Sequence, residues 1–239
     1  MSLLEKYTRE AGLMVKVCAR LARQLYITSQ GGNLAWRLEP DLVLITPTQV
    51  NKSDVQAEDL VFIDLAGMVV EGKHRPTGET PMYLTFFNQR SDILTVIHCH
   101  PPAACAVAIS KGKNWLMRPL YPETTIEVGP VPVVPYGQPL TQALARNFEP
   151  YLPRYNSFIM ENHGLVTMSR GNIEWTMGHI ELLEMTAQSI VLALQMGEIK
   201  ELDRQAVSDL GSVSRTRHLP LVGAPGVNQS LEELYFDAV

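Results

Sequence analysis

The sequence predicts a single layered α/β domain. Helical and strand-like patterns alternate along the whole chain rather than falling into separate blocks, the arrangement expected of helices packed on a sheet. Of 239 residues, 46% are hydrophobic, enough for one sizeable core. The formal net charge is -5 and the pI is near 5.7. Such a balance speaks against nucleic acid, which is usually held by a basic excess. No cluster of Lys and Arg offers a membrane surface or a polyphosphate a landing site.

Residues 3–24 carry Leu4, Tyr7, Leu13, Val17 and Leu21 at helical spacing and predict an amphipathic first helix. Residues 28–33, Thr-Ser-Gln-Gly-Gly-Asn, form a turn cluster. Two short strands follow as a hairpin over 34–37 and 42–45, then 59–63 and 68–70 with a turn at Ala66-Gly67. A helix is expected over 80–89, just after Pro76-Thr77-Gly78-Glu79. Residues 93–100 are largely β-branched and read as a buried strand. Pro101-Pro102 ends it, and 103–109 are small and helical. Ile126, Val128, Val131, Val133 and Val134 read as strand pieces between prolines, and 140–148 as a short helix. Strands at 158–160 and 165–168 flank Glu161-Asn162-His163-Gly164. The longest helical pattern runs over 173–199, with Asn172 as N-cap. The domain is assigned to 1–206, and 207–239 read as an irregular tail lying on the surface or on a neighbouring subunit.

The first ten residues lack the basic start and apolar run of a signal peptide. No apolar stretch reaches the 18 or so residues of a spanning helix. Cys18, Cys99 and Cys105 are odd in number and without pairing rhythm, which suits reduced thiols and a cytoplasmic location.

Chemistry concentrates at three histidines. In His98-Cys99-His100, strand alternation puts both imidazoles on one face, where they can reach one ion, and turns Cys99 to the other. The competing reading is two core histidines satisfied by carbonyl groups. His163 lies in a turn where Gly164 permits close backbone approach. Three protein ligands and one open position are the usual count for a catalytic zinc. Glu79, between a turn and a helix, suits a general base or a ligand of the resting metal; alternatively it only favours the start of that helix. His74 and His179 read as loop and helix-surface residues. Gly31-Gly32-Asn33 and Thr77-Gly78 could offer N–H groups to an anion.

These pieces, in order, resemble the class II aldolase/adducin family. The matching segments are Gly-Gly-Asn-Leu at 31–34, Ile-Thr-Pro-Thr at 45–48, Glu-Gly at 71–72, Arg-Pro-Thr-Gly-Glu at 75–79, Val-Ile-His-Cys-His-Pro at 96–101 and Asn-His-Gly at 162–164. The resemblance implies an αβα layered domain around a mostly antiparallel central sheet, and a cyclic homotetramer with sites between subunits. It makes His98, His100 and His163 ligands of Zn2+, a place that Mn2+ or Co2+ could also fill. Glu79 stands at the family's catalytic glutamate and Tyr121 at the spacing of its tyrosine acid. Gly32, Asn33, Thr48, Thr77 and Gly78 line the substrate's anion pocket. The implied activity is retro-aldol cleavage of a small ketose or ketose phosphate through a metal-stabilised enediolate.

Three departures bear on the substrate. Thr48-Gln49 stands where the family has Thr/Ser-Gly, and Pro76-Thr77-Gly78-Glu79 where it has Pro-Ser-Ser-Glu. A histidine often found soon after that glutamate is absent, with Met82-Tyr83 in its region. The altered cradle brings forward a decarboxylase acting on a small keto or hydroxy acid. A sugar-phosphate 4-epimerase fits less well, since its catalytic aspartate falls near Thr125. An adducin-like module without catalysis fits least, because all three histidines are present.

Overall fold

Eight strands form the spine of the molecule in a computed structural model that describes residues 1–237. They are β1 Asn33–Glu39, β2 Leu42–Ile45, β3 Val61–Ile63, β4 Val69–Glu71, β5 Thr95–Cys99, β6 Val133–Val134, β7 Ser157–Met160 and β8 Gly164–Ser169. Their order in one sheet is β4-β3-β2-β1-β5-β8-β7-β6. Every pairing is antiparallel except β6 with β7. The expected mostly antiparallel sheet is thus observed.

Helices cover both faces, so the inner strands are apolar on both sides. The helices are α1 Leu3–Lys6, α2 Thr8–Arg23, α3 Thr80–Gln89, α4 Pro102–Ile109, α5 Gln142–Asn147, α6 Ile173–Met196 and α7 Arg204–Thr216. Leu34 and Trp36 of β1 and Ile97 of β5 join a core with α2, α4 and α6. Ala35 and Val96, turned the other way by strand alternation, join a core with α3, α5 and α7. The result is an αβα sandwich with β5 near its middle.

Four sequence expectations change. The first helix breaks at Tyr7 into α1 and α2, because the N-terminus of α1 is held elsewhere: the N–H groups of Leu3 and Leu4 donate to the Glu71 carboxylate at 2.8 and 3.1 Å. Residues 124–128 form a π-helical turn, not a strand. Thr124 Oγ1 there lies 2.8 Å from Thr186 Oγ1 of α6, a tertiary contact that overrides the β-branched preference. The segment from 207 onward is only partly irregular: the 206/207 boundary falls inside α7, and 233–237 form a π-helical turn. Asp203 caps that helix by accepting from the Ala206 N–H at 2.8 Å. Val207, Val222, Leu231, Leu234 and Tyr235 are all buried in the second core. His179 is not on the helix surface: it is 9% exposed, against Trp175, and its Nε2 has no hydrogen-bond partner.

Truncating a buried leucine costs lost transfer energy plus an unfilled cavity. Leu234→Ala should therefore lower stability by about 2–5 kcal/mol, measured by chemical denaturation. A midpoint unchanged from the parent would show that the C-terminal segment is a detachable arm.

Candidate metal centre

β5 sits between β1 and β8, and its end carries the histidines. His98 is 1% exposed and pairs across the sheet with Asn33 and Val166. Cys99, on the opposite face, joins the core under α2 and α6, and burial pushes its thiol well above the usual range. His100 follows the last strand residue, its N–H donating to Tyr26 O at 2.6 Å. Directly beyond it, Glu184 of α6 accepts the N–H groups of Ala103 and Ala104 at 3.0 and 2.9 Å. A side chain about eighty positions later thus caps α4 and anchors the segment that bears His100.

His163 arrives from the hairpin joining β7 to β8, whose loop is residues 161–163. Asn162 takes a left-handed conformation there, with φ of 54°. Gly164 then passes directly over the other two rings. A Cβ at that position would lie 2.5 Å from His100 Cδ2, 2.8 Å from Cys99 O and 3.2 Å from His98 Cε1. No side chain fits, which explains the glycine in Asn-His-Gly.

The three imidazoles each offer a ligand atom, all within 4.8 Å of one another. The ring centroids are 4.6 Å apart for His98 and His100, 4.8 Å for His98 and His163, and 5.7 Å for His100 and His163. Leu165 O can only accept, so its 2.9 Å contact places a proton on His98 Nδ1 and leaves Nε2 bare. That is the tautomer a metal needs, oriented by a backbone carbonyl. His163 Nδ1 is buried with no hydrogen-bond partner. Burial pushes all three imidazoles down to about 4; in His100 and His163 the neighbouring rings add to it. They are therefore neutral at pH 7 and do not hold protons against a cation. Converging neutral nitrogens with a carboxylate alongside fit a divalent metal.

That carboxylate is Glu79, at the N-cap of α3 and 5% exposed. Its Oε2 lies 3.5 Å from His98 Nε2 and its Oε1 3.5 Å from His163 Nε2. Asn33 Nδ2 donates to Oε2 at 2.9 Å. Sequence reading put Asn33 in the anion pocket, but here its amide is directed at Glu79.

The other pocket residues lie nearby. Gly32, with φ of 74°, leaves no room for a Cβ, which would meet Ile27 Cγ2 at 2.3 Å and His98 O at 3.1 Å. A Cβ on Gly31 would lie 3.3 Å from His100 Cε1. Thr48 and Thr77 come together because the segments bearing them pair: Thr48 N–H donates to Arg75 O and Thr77 N–H to Thr46 O, each at 3.0 Å. Those two N–H groups are thereby already used. Gly78 faces Leu140, whose Cδ2 would be 3.0 Å from a Cβ there. Gln49 is exposed with φ of 58°, the left-handed conformation that favours glycine. Tyr121 lies apart, 39% exposed, in a recess with Leu120, Ser189, Ile190 and Ala193.

Two supporting residues were passed over in the sequence. Glu184 falls on the buried stripe of α6 with Ile180, Leu183 and Ala187, and a lone acid among apolar residues was its signal. Tyr83, fully buried on α3, showed only as standing in the region of a missing histidine.

The sequence matches the family model for the class II aldolase and adducin N-terminal domain over residues 12–191, and the chain belongs to this family. It is 29% identical to 3-oxo-tetronate 4-phosphate decarboxylase of Pectobacterium atrosepticum over 79% of this chain and 87% of that protein. With L-fuculose phosphate aldolase of Methanococcus maripaludis the identity is 30%, over 73% and 92%. With 5-deoxy-D-ribulose 1-phosphate aldolase of Bacillus thuringiensis it is 31%, over 75% and 83%. The crystal structure of YgbL from Klebsiella pneumoniae superposes with a TM-score of 0.78 at 29% identity, covering 85% of this chain and 98% of that one. An L-fuculose 1-phosphate aldolase gives 0.76 at 25% identity, covering 87% and 96%. The aldolases and decarboxylases named among these relatives are carbon–carbon lyases.

Burial of neutral imidazoles has a measurable cost in acid. His98, His100, His163 and His179 all titrate near 4 when folded, against 6.5 ordinarily. Between those values the unfolded chain binds more protons, so stability rises with pH there. Metal-free protein should lose stability as pH falls from about 6.5 to about 4 and level off in this contribution below. Denaturation midpoints taken in chelator across that window check this; a flat profile would contradict buried neutral rings.

Proposed function

We propose that this chain is a divalent-metal-dependent lyase that cleaves a carbon–carbon bond in a small ketose or ketose phosphate by a retro-aldol reaction. One observation carries the reading: a buried carboxylate, Glu79, held 3.5 Å from the Nε2 atoms of two of three converging histidines. His98, His100 and His163 would hold the cation, with zinc the first choice and Mn2+ or Co2+ able to serve. When bound, it supplies Lewis acidity to the substrate's carbonyl and hydroxyl oxygens.

The chain's own residues supply the rest. Glu79 would exchange a proton at the carbon left electron-rich when the bond breaks. Burial excludes bulk water from it, and Asn33 fixes one of its oxygens so that the other can face substrate. Gly32, Thr48, Thr77 and Gly78 would frame the anionic end of the substrate, while the Asn33 amide is taken up by Glu79. Tyr121, from across a subunit boundary, would take up the proton of the hydroxyl that becomes the aldehyde, and would return it in the condensation direction.

The surface supports an assembly of this kind. Leu192, Leu194 and Met196 are 60%, 50% and 89% exposed at the end of α6, on the helix that walls the Tyr121 recess. Met68, Val69 and Val70 make a second exposed apolar patch, at edge strand β4. A cyclic tetramer joins unlike surfaces head to tail and so needs two distinct patches per chain. Three free cysteines support a reducing, cytoplasmic setting.

A decarboxylase of a keto or hydroxy acid is the second reading. The similarity to 3-oxo-tetronate 4-phosphate decarboxylase favours it. The used N–H groups of Thr48 and Thr77 leave fewer donors for a phosphate dianion under either reading, since that decarboxylase is also named for a phosphorylated substrate.

His98→Ala combined with His100→Ala should remove most bound metal, read by elemental analysis. Glu79→Gln should retain fold and metal while losing roughly a hundredfold to ten-thousandfold in turnover. A Glu79→Gln rate within a few-fold of the parent takes this residue out of the mechanism.

The substrate is approached by comparing specificity constants for a ketose 1-phosphate, its free ketose and a β-keto acid, following aldehyde and CO2. The expected phosphate preference is below roughly a thousandfold, about 4 kcal/mol. A larger preference, with aldehyde as product, excludes the decarboxylase reading.

A further inference from the structure

Behind Glu79 lies a short chain of hydrogen bonds from three different elements. Tyr83 stands one turn after Glu79 on α3 and is 0% exposed. Its hydroxyl lies 2.6 Å from Asn33 O and 2.6 Å from Asn33 Oδ1. Asn33, on β1, donates from Nδ2 to Glu79 Oε2 at 2.9 Å. It also pairs across the sheet with His98 on β5. We propose that Tyr83 is a positioning residue: by donating to Asn33 Oδ1 it holds the amide turned toward Glu79 and thereby keeps Glu79 beside the histidines.

The direction of each bond follows from what the atoms can do. An asparagine amide is nearly the same shape turned either way, but one end accepts and the other donates. The Glu79 carboxylate can only accept, so Nδ2 must face it and Oδ1 is left facing Tyr83. The phenol has a single proton, shared between Asn33 O and Oδ1 at 2.6 Å each. Its donation to Oδ1 holds the amide in the orientation that serves Glu79. In the opposite orientation its oxygen would face the carboxylate, acceptor against acceptor. Burial, with the charge of Glu79 adding to it, holds the phenol well above the usual tyrosine range, so the proton stays in place.

Phenylalanine at 83 would fill the same space without a donor for Oδ1. The amide would then be held at Nδ2 alone, and Glu79 would lose a fixed donor at Oε2. Tyr83 touches neither substrate nor metal in this scheme; it acts only through Asn33.

The inference rests on Glu79 being the base, and its test separates the two ideas. In whole, zinc-loaded protein, Tyr83→Phe should lower kcat at least tenfold with KM within threefold, metal content unchanged and the fold retained. Asn33→Ala should do the same. In the Asn33→Ala background, Tyr83→Phe should cost no more than twofold further, because the link is already cut. Effects that multiply in the double variant, or a rise in KM alone, overturn the proposal. Should Tyr83→Phe fail to fold, Asn33→Asp tests the link, since an acid at 33 can accept from Tyr83 but repels Glu79; an undiminished kcat there overturns it.

A second readout needs no turnover. In metal-free protein labelled with 15N-asparagine, the Asn33 side-chain amide should be protected from solvent exchange. Tyr83→Phe should speed that exchange at least tenfold, and an unchanged rate overturns the proposal. If the parent cleaves none of the substrates tested, the lyase reading fails while the exchange experiment still decides the role of Tyr83.

Discussion

The close passage of one hairpin over one strand end is the constraint on which the site depends. His98 and His100 leave β5 on the same face, and His163 must come down on them from the β7–β8 loop. This is possible only where the backbone carries no side chain, since a Cβ on Gly164 would sit 2.5 Å from His100 and 2.8 Å from a carbonyl oxygen. Any other residue there would push the loop off the sheet and carry the third imidazole away. Gly31 and Gly32 solve the same problem on the β1 side.

Such packing determines the chemistry available. Rings crowded this closely, with His98 buried and His100 and His163 half-buried, are held neutral at physiological pH. Neutral imidazoles gathered without enough hydrogen-bond partners, as at His163 Nδ1, are costly in an apo-protein and well suited to a cation. Glu79 completes the set, placed by α3 and steadied by Asn33 on the neighbouring strand.

The supports come from distant parts of the chain. Glu184, on α6, holds the segment after His100. Asp92 binds Arg90 and Arg170 at 2.8 Å each, tying the approach to β5 to the end of β8. The C-terminal segment closes the second core with Leu231, Leu234 and Tyr235. The three histidines thus sit on or beside the central strands, while the apolar patches at the end of α6 and on β4 are left on the surface.

The convergence of His98, His100 and His163 and the layered fold could be read from the sequence, because their determinants are local, while the place of Glu79 beside them was implied by the family resemblance. Two-residue strand periodicity aligns His98 with His100, a glycine marks the tight turn after His163, and helical spacing marks α3 and α6. The sequence was misleading where local preference and tertiary packing disagree. The β-branched run at 124–128 became a turn under α6, and the apolar residues from 207 onward became one face of α7 and part of the second core. It was silent where function depends on the orientation of a side chain. Nothing in the text around Asn33 shows that its amide serves Glu79 rather than a ligand, or that Tyr83 directs it. Those facts arise from three elements meeting in space, and hydrogen-bond direction is decided only when all the donors and acceptors are in place.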